Sequence, residues 1–186
     1  MSNFILQKTS IENLKIIVHQ PSKDERGSLS RLFCRDKLSQ LIDKKTIQQV
    51  NKSYTKKKGT VRGLHYQHPP FAEIKIISCI KGKVWDVAVD LRKGSSTFLN
   101  YHAELLTSDN NKSYLIPEGF AHGFQTLTPD CEMLYFHTEN YNKEFEGVIN
   151  AIDPIININW PEQITQISNR DRNHSMLSNN FKGVEL

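Results

Sequence analysis

The chain has 186 residues, with 24 Lys and Arg against 20 Asp and Glu, a formal charge of +4. That length suits one domain with a real core, residues 1–186, and argues against two; no window approaches the roughly 18 consecutive apolar residues of a membrane span, and the opening "MSNFILQKTSIENLK" lacks a signal-like stretch, so a soluble cytoplasmic protein is expected. Cys34, Cys79 and Cys131 are too scattered for a disulfide framework or a C-x-x-C pair, which fits a reducing compartment.

Taken in chain order, runs rich in Val, Ile, Tyr, Phe and Thr recur between turn-forming clusters. "LKIIVH" (14–19) predicts the first strand, and "RDKLSQLIDKK" (35–45) the main helix. Strands are then expected at "TIQQVNKSY" (46–54), "TVRGLHY" (60–66), "IKIISCI" (74–80) and "KVWDVAVDL" (83–91), followed by "TFLNYHAEL" (97–105), "KSYLIPE" (112–118), "GFQTL" (123–127) and "EMLYFHT" (132–138). A short helical piece and a polar tail follow Trp160-Pro161, the tail either folding over the rest or fraying. Many short strands separated by turns such as Lys81-Gly82 and Lys93-Gly94 predict an all-β sandwich or barrel.

The basic run "KSYTKKKGT" (52–60) has neither a stacking platform nor a groove-entering helix beside it, so it reads as a solvated loop and not a nucleic-acid face. In "KVWDVAVDL", alternation places Trp85, Val87, Val89 and Leu91 on one face and Val84, Asp86, Ala88 and Asp90 on the other. The first face is core; Asp86 faces either solvent or a polar cavity inside a barrel. No Rossmann glycine fingerprint, P-loop or G-x-S-x-G elbow is present.

The segment "PEGFAH" (117–122) has the P-x-G-x-x-H spacing of the second cupin motif. A metal-binding cupin also needs an H-x-H pair and a carboxylate converging on one ion. Here "GLHYQHPP" sets His65 and His68 three apart, on opposite faces of a regular strand, and Lys75 stands where a ligand carboxylate would be useful. Each histidine alone could be a satisfied strand residue; together with Lys75 and a buried carboxylate they could carry acid–base chemistry without an ion.

In order and spacing, "DERGSLSRLFC", "VRGLHYQHPP", "KIISCIKGKVWDVAVDLRKGSSTF", "YLIPEGFAHGFQTL", "EMLYFHTENY", "GVINAIDPIININWP" and "ISNRDR" resemble the dTDP-4-dehydrorhamnose 3,5-epimerase family over about residues 12–172. The resemblance implies a cupin-type jelly-roll β-barrel with a few short peripheral helices. It also implies a homodimer that acts on a nucleotide-linked 4-keto-6-deoxyhexose with no cofactor and no metal. Carried over, His65 is the base, Asp171 the carboxylate that orients it, Lys75 the cation at the C4 oxygen and Tyr135 the acid on the opposite face. His122, Asp86 and Gln67 line the pocket, Arg62 meets the diphosphate and Arg26 reaches the partner's site.

Asn140 stands where the family has the first of two adjacent tyrosines, and Ser28 and Ser30 stand where it often has phenylalanines. Inversion at C3 alone or C5 alone, on a dTDP-, CDP- or GDP-linked sugar, therefore stays open. So do a sugar nucleotide 3,4-ketoisomerase and a non-catalytic sugar-nucleotide-binding barrel.

Overall fold

A computed structural model describes residues 4–186. The chain begins with β1 (Phe4–Lys8), β2 (Lys15–His19) and a ribbon of β3 (Ser22–Asp24) and β4 (Gly27–Leu29), then α1 (Arg35–Leu38). β5 (Gln49–Thr55), β6 (Val61–Gln67), β7 (Lys75–Lys81) and β8 (Lys83–Asp90) follow. After them come β9 (Tyr101–Thr107), β10 (Lys112–Ile116), β11 (Phe120–Thr126), β12 (Cys131–His137), β13 (Glu146–Val148) and α2 (Asn169–Arg172).

Two antiparallel sheets carry the fold. One has the strand order β1-β2-β10-β7-β12-β5 and the other β13-β6-β11-β8-β9. Between them lies an apolar cluster that includes Ile16, Ile77, Val84, Ala88, Tyr114, Phe124 and Met133. The outer face of the smaller sheet packs Leu64, Val87, Val89 and Leu91 against Ile156, Trp160, Phe181 and Val184 of the C-terminal segment. The outer face of the larger sheet packs Ile17, Ile76 and Leu115 against Leu38, Ile42 and Ile47.

The all-β expectation holds, with adjustments at the edges of elements. The predicted helix over 35–45 is a single turn, Arg35–Leu38, continued as turns. Cys34 supplies no side-chain cap, and Asp43 and Lys44 adopt positive φ of 49° and 57°, which stops helical propagation. The strand expected from Thr97 starts at Tyr101, because residues 95–100 form turns closed by Phe98 N–H to Ser95 O and Asn100 N–H to Thr97 O. Four of the nine residues of the "KSYTKKKGT" run, 52–55, belong to β5, where Ser53 and Thr55 turn inward while Lys52 and Tyr54 point out. The tail folds over the smaller sheet: the Asn150 side-chain amide donates to His174 O at 2.8 Å, and Asp153 accepts from Leu177 N–H.

Both faces of β8 are buried, which decides the position of Asp86: its side chain has 0% exposure and points between the sheets. Asp90, on the same face, is held by Arg92, Ser95 and Thr97. No helix among the described residues is long and apolar enough to cross a membrane.

Candidate active site

The two histidine motifs meet on neighbouring strands. His65 of β6 and His122 of β11 are direct register partners, and so are Arg62 and Phe124. From Arg62 to His65 is three steps along β6, whereas Phe124 to His122 is two along β11, so β6 carries one extra residue as a bulge. That residue turns Arg62 and His65 to the same face, where unbroken alternation would separate them. The glycines of the two motifs make this approach feasible. A Cβ on Gly63, at φ 109°, would lie 2.6 Å from His122 O, and one on Gly123 would lie 2.6 Å from Arg62 O.

These residues form one wall of a cleft of about 1020 Å³ between the sheets. The opposite wall comes from β5, β7 and β12 and presents Ser53, Lys75, Tyr135 and His137. Lys52, Lys56, Arg62 and Arg170 also line the cleft, Lys52 paired with Glu132 at 3.0 Å and Arg170 with Glu146 at 2.9 Å.

His65 Nε2 lies 2.9 Å from Asp171 Oδ1. Asp171 sits on α2, where Ser168 caps the helix by accepting from Asp171 N–H at 3.1 Å. Burial works to raise the Asp171 carboxyl, but the hydrogen bond and charge of His65, the Ser168 hydroxyl and Arg170 outweigh it and hold it at about 2. A proton on Nε2 satisfies this carboxylate and leaves the Nδ1 lone pair free. Arg170, whose Nη1 donates to Glu146 at 2.9 Å, also has Nη2 2.8 Å from the same ring nitrogen; a protonated Nε2 gives it no acceptor there, so Arg170 acts on the dyad through its charge beside Asp171.

His122 Nε2 meets Asp86 Oδ1 at 2.8 Å, and Asp86 Oδ2 is buried without a partner. Burial raises the Asp86 carboxyl above its ordinary range, with His122 and Lys75 pulling it partly back. Lys75, only 8% exposed, donates to His65 O at 3.2 Å and pairs with Glu73 at 3.2 Å. Tyr135 Oη is 3.0 Å from Ser53 Oγ, and its ring stands edge-on to His122 at 6.3 Å. Burial raises the Tyr135 phenol well above its usual value despite that hydrogen bond.

His65, Tyr135, Lys75, Asp171, Arg62, His122 and Gln67 thus gather in or around one cleft, with Asp86 directly behind His122. Gln67 spends its amide on Phe71 O and Asn140 O and accepts from Asn142 N–H, which ties down the 139–142 loop. His68 is exposed beyond the end of β6. Arg26 is not brought to the cleft; its side chain is 90% exposed and pairs with Asp24.

Sequence reasoning missed Glu73, His137, Ser53, Glu146 and Arg170. Glu73 and His137 had a usable signal, since each lies two residues from a selected residue, Lys75 or Tyr135, and two-residue spacing returns a side chain to the same face. Among the described residues, no group of three or more His, Cys, Asp or Glu side chains is arranged to hold a metal ion.

A family model described as dTDP-4-dehydrorhamnose 3,5-epimerase matches residues 8–179. The chain belongs to the dTDP-4-dehydrorhamnose 3,5-epimerase family. A member from Salmonella typhimurium is 40% identical over 169 residues, covering 90% of this chain and 92% of its own. A crystal structure of the Bacillus anthracis enzyme, with TDP and PPi bound, superimposes with a TM-score of 0.90 at 33% identity, covering 94% of this chain and 100% of that one. The Legionella pneumophila enzyme, in complex with dTDP-4-keto-L-rhamnose, gives a TM-score of 0.84 at 38% identity over 92% of this chain and 90% of its own. The expected cupin-like barrel and the nucleotide-sugar epimerase activity are those of this family, an isomerase class of deoxysugar biosynthesis.

Proposed function

We propose that this epimerase inverts C3, C5 or both in a nucleotide-diphospho-4-keto-6-deoxyhexose, of the dTDP-4-dehydro-6-deoxyglucose type, without a metal or cofactor. The observation that carries this reading is the pair of opposed walls: a carboxylate-backed imidazole, His65 with Asp171, on one, and a protonated phenol, Tyr135, on the other.

The C4 ketone acidifies the hydrogens on C3 and C5, because either carbanion delocalises onto the C4 oxygen. His65 Nδ1 takes the proton, and the ionised Asp171 stabilises the imidazolium that results. Lys75 meets the oxygen as it gains charge, an interaction stronger with the enolate than with the neutral ketone. Tyr135 returns a proton from the other face; its raised phenol keeps the proton until the carbanion requires it.

Arg62, with Nε donating to Thr55 Oγ1 at 2.9 Å and Nη2 to Tyr54 O at 3.1 Å, is anchored at the mouth and takes the diphosphate with Lys52 and Lys56 nearby. His122 and Asp86 form the floor. The chain works as one epimerase unit and as a homodimer in which Arg26 serves the neighbour's cleft.

Incubation with dTDP-4-keto-6-deoxyglucose in deuterium oxide, followed by NMR of the sugar, tests the reaction. Deuterium at C3 and C5 supports double inversion, and label at one carbon supports a mono-epimerase. No label with dTDP-, CDP- or GDP-linked sugars would overturn the proposal.

A further inference from the structure

Glu73 and His137 belong to the cleft, yet the chemistry above gives them no task. Glu73 is 8% exposed, and its two oxygens are divided: Oε1 faces Lys75 Nζ at 3.2 Å, and Oε2 faces His137 Nδ1 at 2.7 Å. The His137 ring stacks on Tyr135 with centroids 6.1 Å apart and planes 20° from parallel, and its Nε2 faces the Asn51 side-chain amide at 3.5 Å. In register, His137 is opposite Lys75 on β7 and Gln49 on β5.

A carboxylate beside Lys75 raises a question, because it offsets charge that an enolate needs. Its gain is geometric. An ammonium has three donors on a flexible stem. Glu73 Oε1 and His65 O engage two of them, which leaves one fixed donor directed by the other two. The His65 carbonyl is part of the residue that supplies the base, so this lysine is registered to it. His137 then secures Glu73 and lies nearly parallel beside the ring of Tyr135.

We infer that Glu73 and His137 are a positioning pair that sets the Lys75 donor and the Tyr135 hydroxyl in one frame, so that the enolate oxygen and the reprotonated carbon are addressed together. This rests on the reading that Lys75 serves the C4 oxygen. Glu73 acts through Lys75, and His137 acts through Glu73 and Tyr135.

The test is steady-state turnover and solvent deuterium exchange for four variants of the full chain on dTDP-4-keto-6-deoxyglucose. Glu73→Ala should lower kcat by about 10²-fold, the scale of a misplaced catalytic group, with KM within about threefold of wild type. Exchange and inversion should fall together, because formation of the enolate is slowed. Glu73→Gln, which still accepts from Lys75, should recover about tenfold of that loss. His137→Leu should reduce inversion more than exchange, a split that general loosening of the fold would not give, and it is read independently of whether Glu73→Ala folds. Wild-type kcat in Glu73→Ala, a Gln variant no better than Ala, or equal loss of exchange and inversion in His137→Leu would each overturn the positioning role. Lys75→Met separates the two layers: if it exchanges at the wild-type rate, the reading of Lys75 itself fails; if it loses exchange while Glu73→Ala does not, only the positioning pair fails.

Discussion

His65 and His122 are partners across two strands, yet each is bonded to its own carboxylate, and those carboxylates lie in opposite electrostatic settings. Asp171 is held at about 2, so it is charged throughout the neutral range. Its folded value lies below the ordinary carboxyl value of about 3.9, so the stability of its pair is full above that value and is lost only as pH falls through about 2. Asp171→Asn should therefore lower kcat/KM by about 10²- to 10⁴-fold at neutral pH, where the wild-type carboxylate is charged. A variant with wild-type kcat/KM at neutral pH would contradict this. Asp86 has the reverse sign. Its carboxyl is raised by burial, so its contribution to stability is most favourable below the ordinary value and is lost as pH rises through the folded one. The melting temperature of Asp86→Asn, relative to wild type, should rise with pH; a difference that falls with pH would show that the charged Asp86–His122 pair stabilises the fold.

At the scale of elements, the bulge in β6 is what brings Arg62 and His65 to one face, and the glycines at 63 and 123 allow the backbones to approach. Gly63→Ala should cost about 1–3 kcal/mol, as overpacking does, and lower the melting temperature. Gly94→Ala, where φ is 78° but no atom lies within 4 Å of the added Cβ, should cost less. Equal losses would mean that φ alone matters and that the strand contact is dispensable. The strands from β5 to β8 were legible because β-branched runs alternate between turn residues. The register was not, because an extra residue in a strand leaves composition and local pattern unchanged. β13 and β1 were missed, the first because three residues carry little periodicity, and the second because "FILQK" has mostly exposed side chains. Within the site, His65, Lys75 and Tyr135 were found through motifs, whereas Glu73 and His137 carried only their two-residue spacing from Lys75 and Tyr135, and their contact with each other appears once β7 and β12 are paired.

Across the whole molecule, the sandwich leaves β1 and β5 as edges of the larger sheet, and Ile5, Leu6, Val50 and Tyr54 on those edges are exposed. Unpaired edges are a liability that a second copy can cover, which supports the proposed homodimer and gives Arg26, far out on the β3–β4 ribbon, a neighbour to serve. Sedimentation at assay concentration should give a dimer, and a fully active monomer would contradict this. The proposed metal-free reaction makes a second demand: activity should survive exhaustive chelation, and a stoichiometric metal whose removal abolishes turnover would exclude it.

The two sheets matter most to the chemistry because they put the proposed base, His65, and the proposed acid, Tyr135, on different walls. If His65 removes the proton, His65→Asn forms no carbanion and loses both exchange and inversion. If Tyr135 acts only after the enolate exists, Tyr135→Phe leaves His65 and Lys75 working, and His65 can return deuterium to the face it came from. Paired assays in deuterium oxide should therefore show Tyr135→Phe losing inversion by about 10²- to 10⁴-fold while it still incorporates deuterium with the original configuration, and His65→Asn doing neither. Exchange that persists in His65→Asn and vanishes in Tyr135→Phe would mean that the two walls carry the opposite roles.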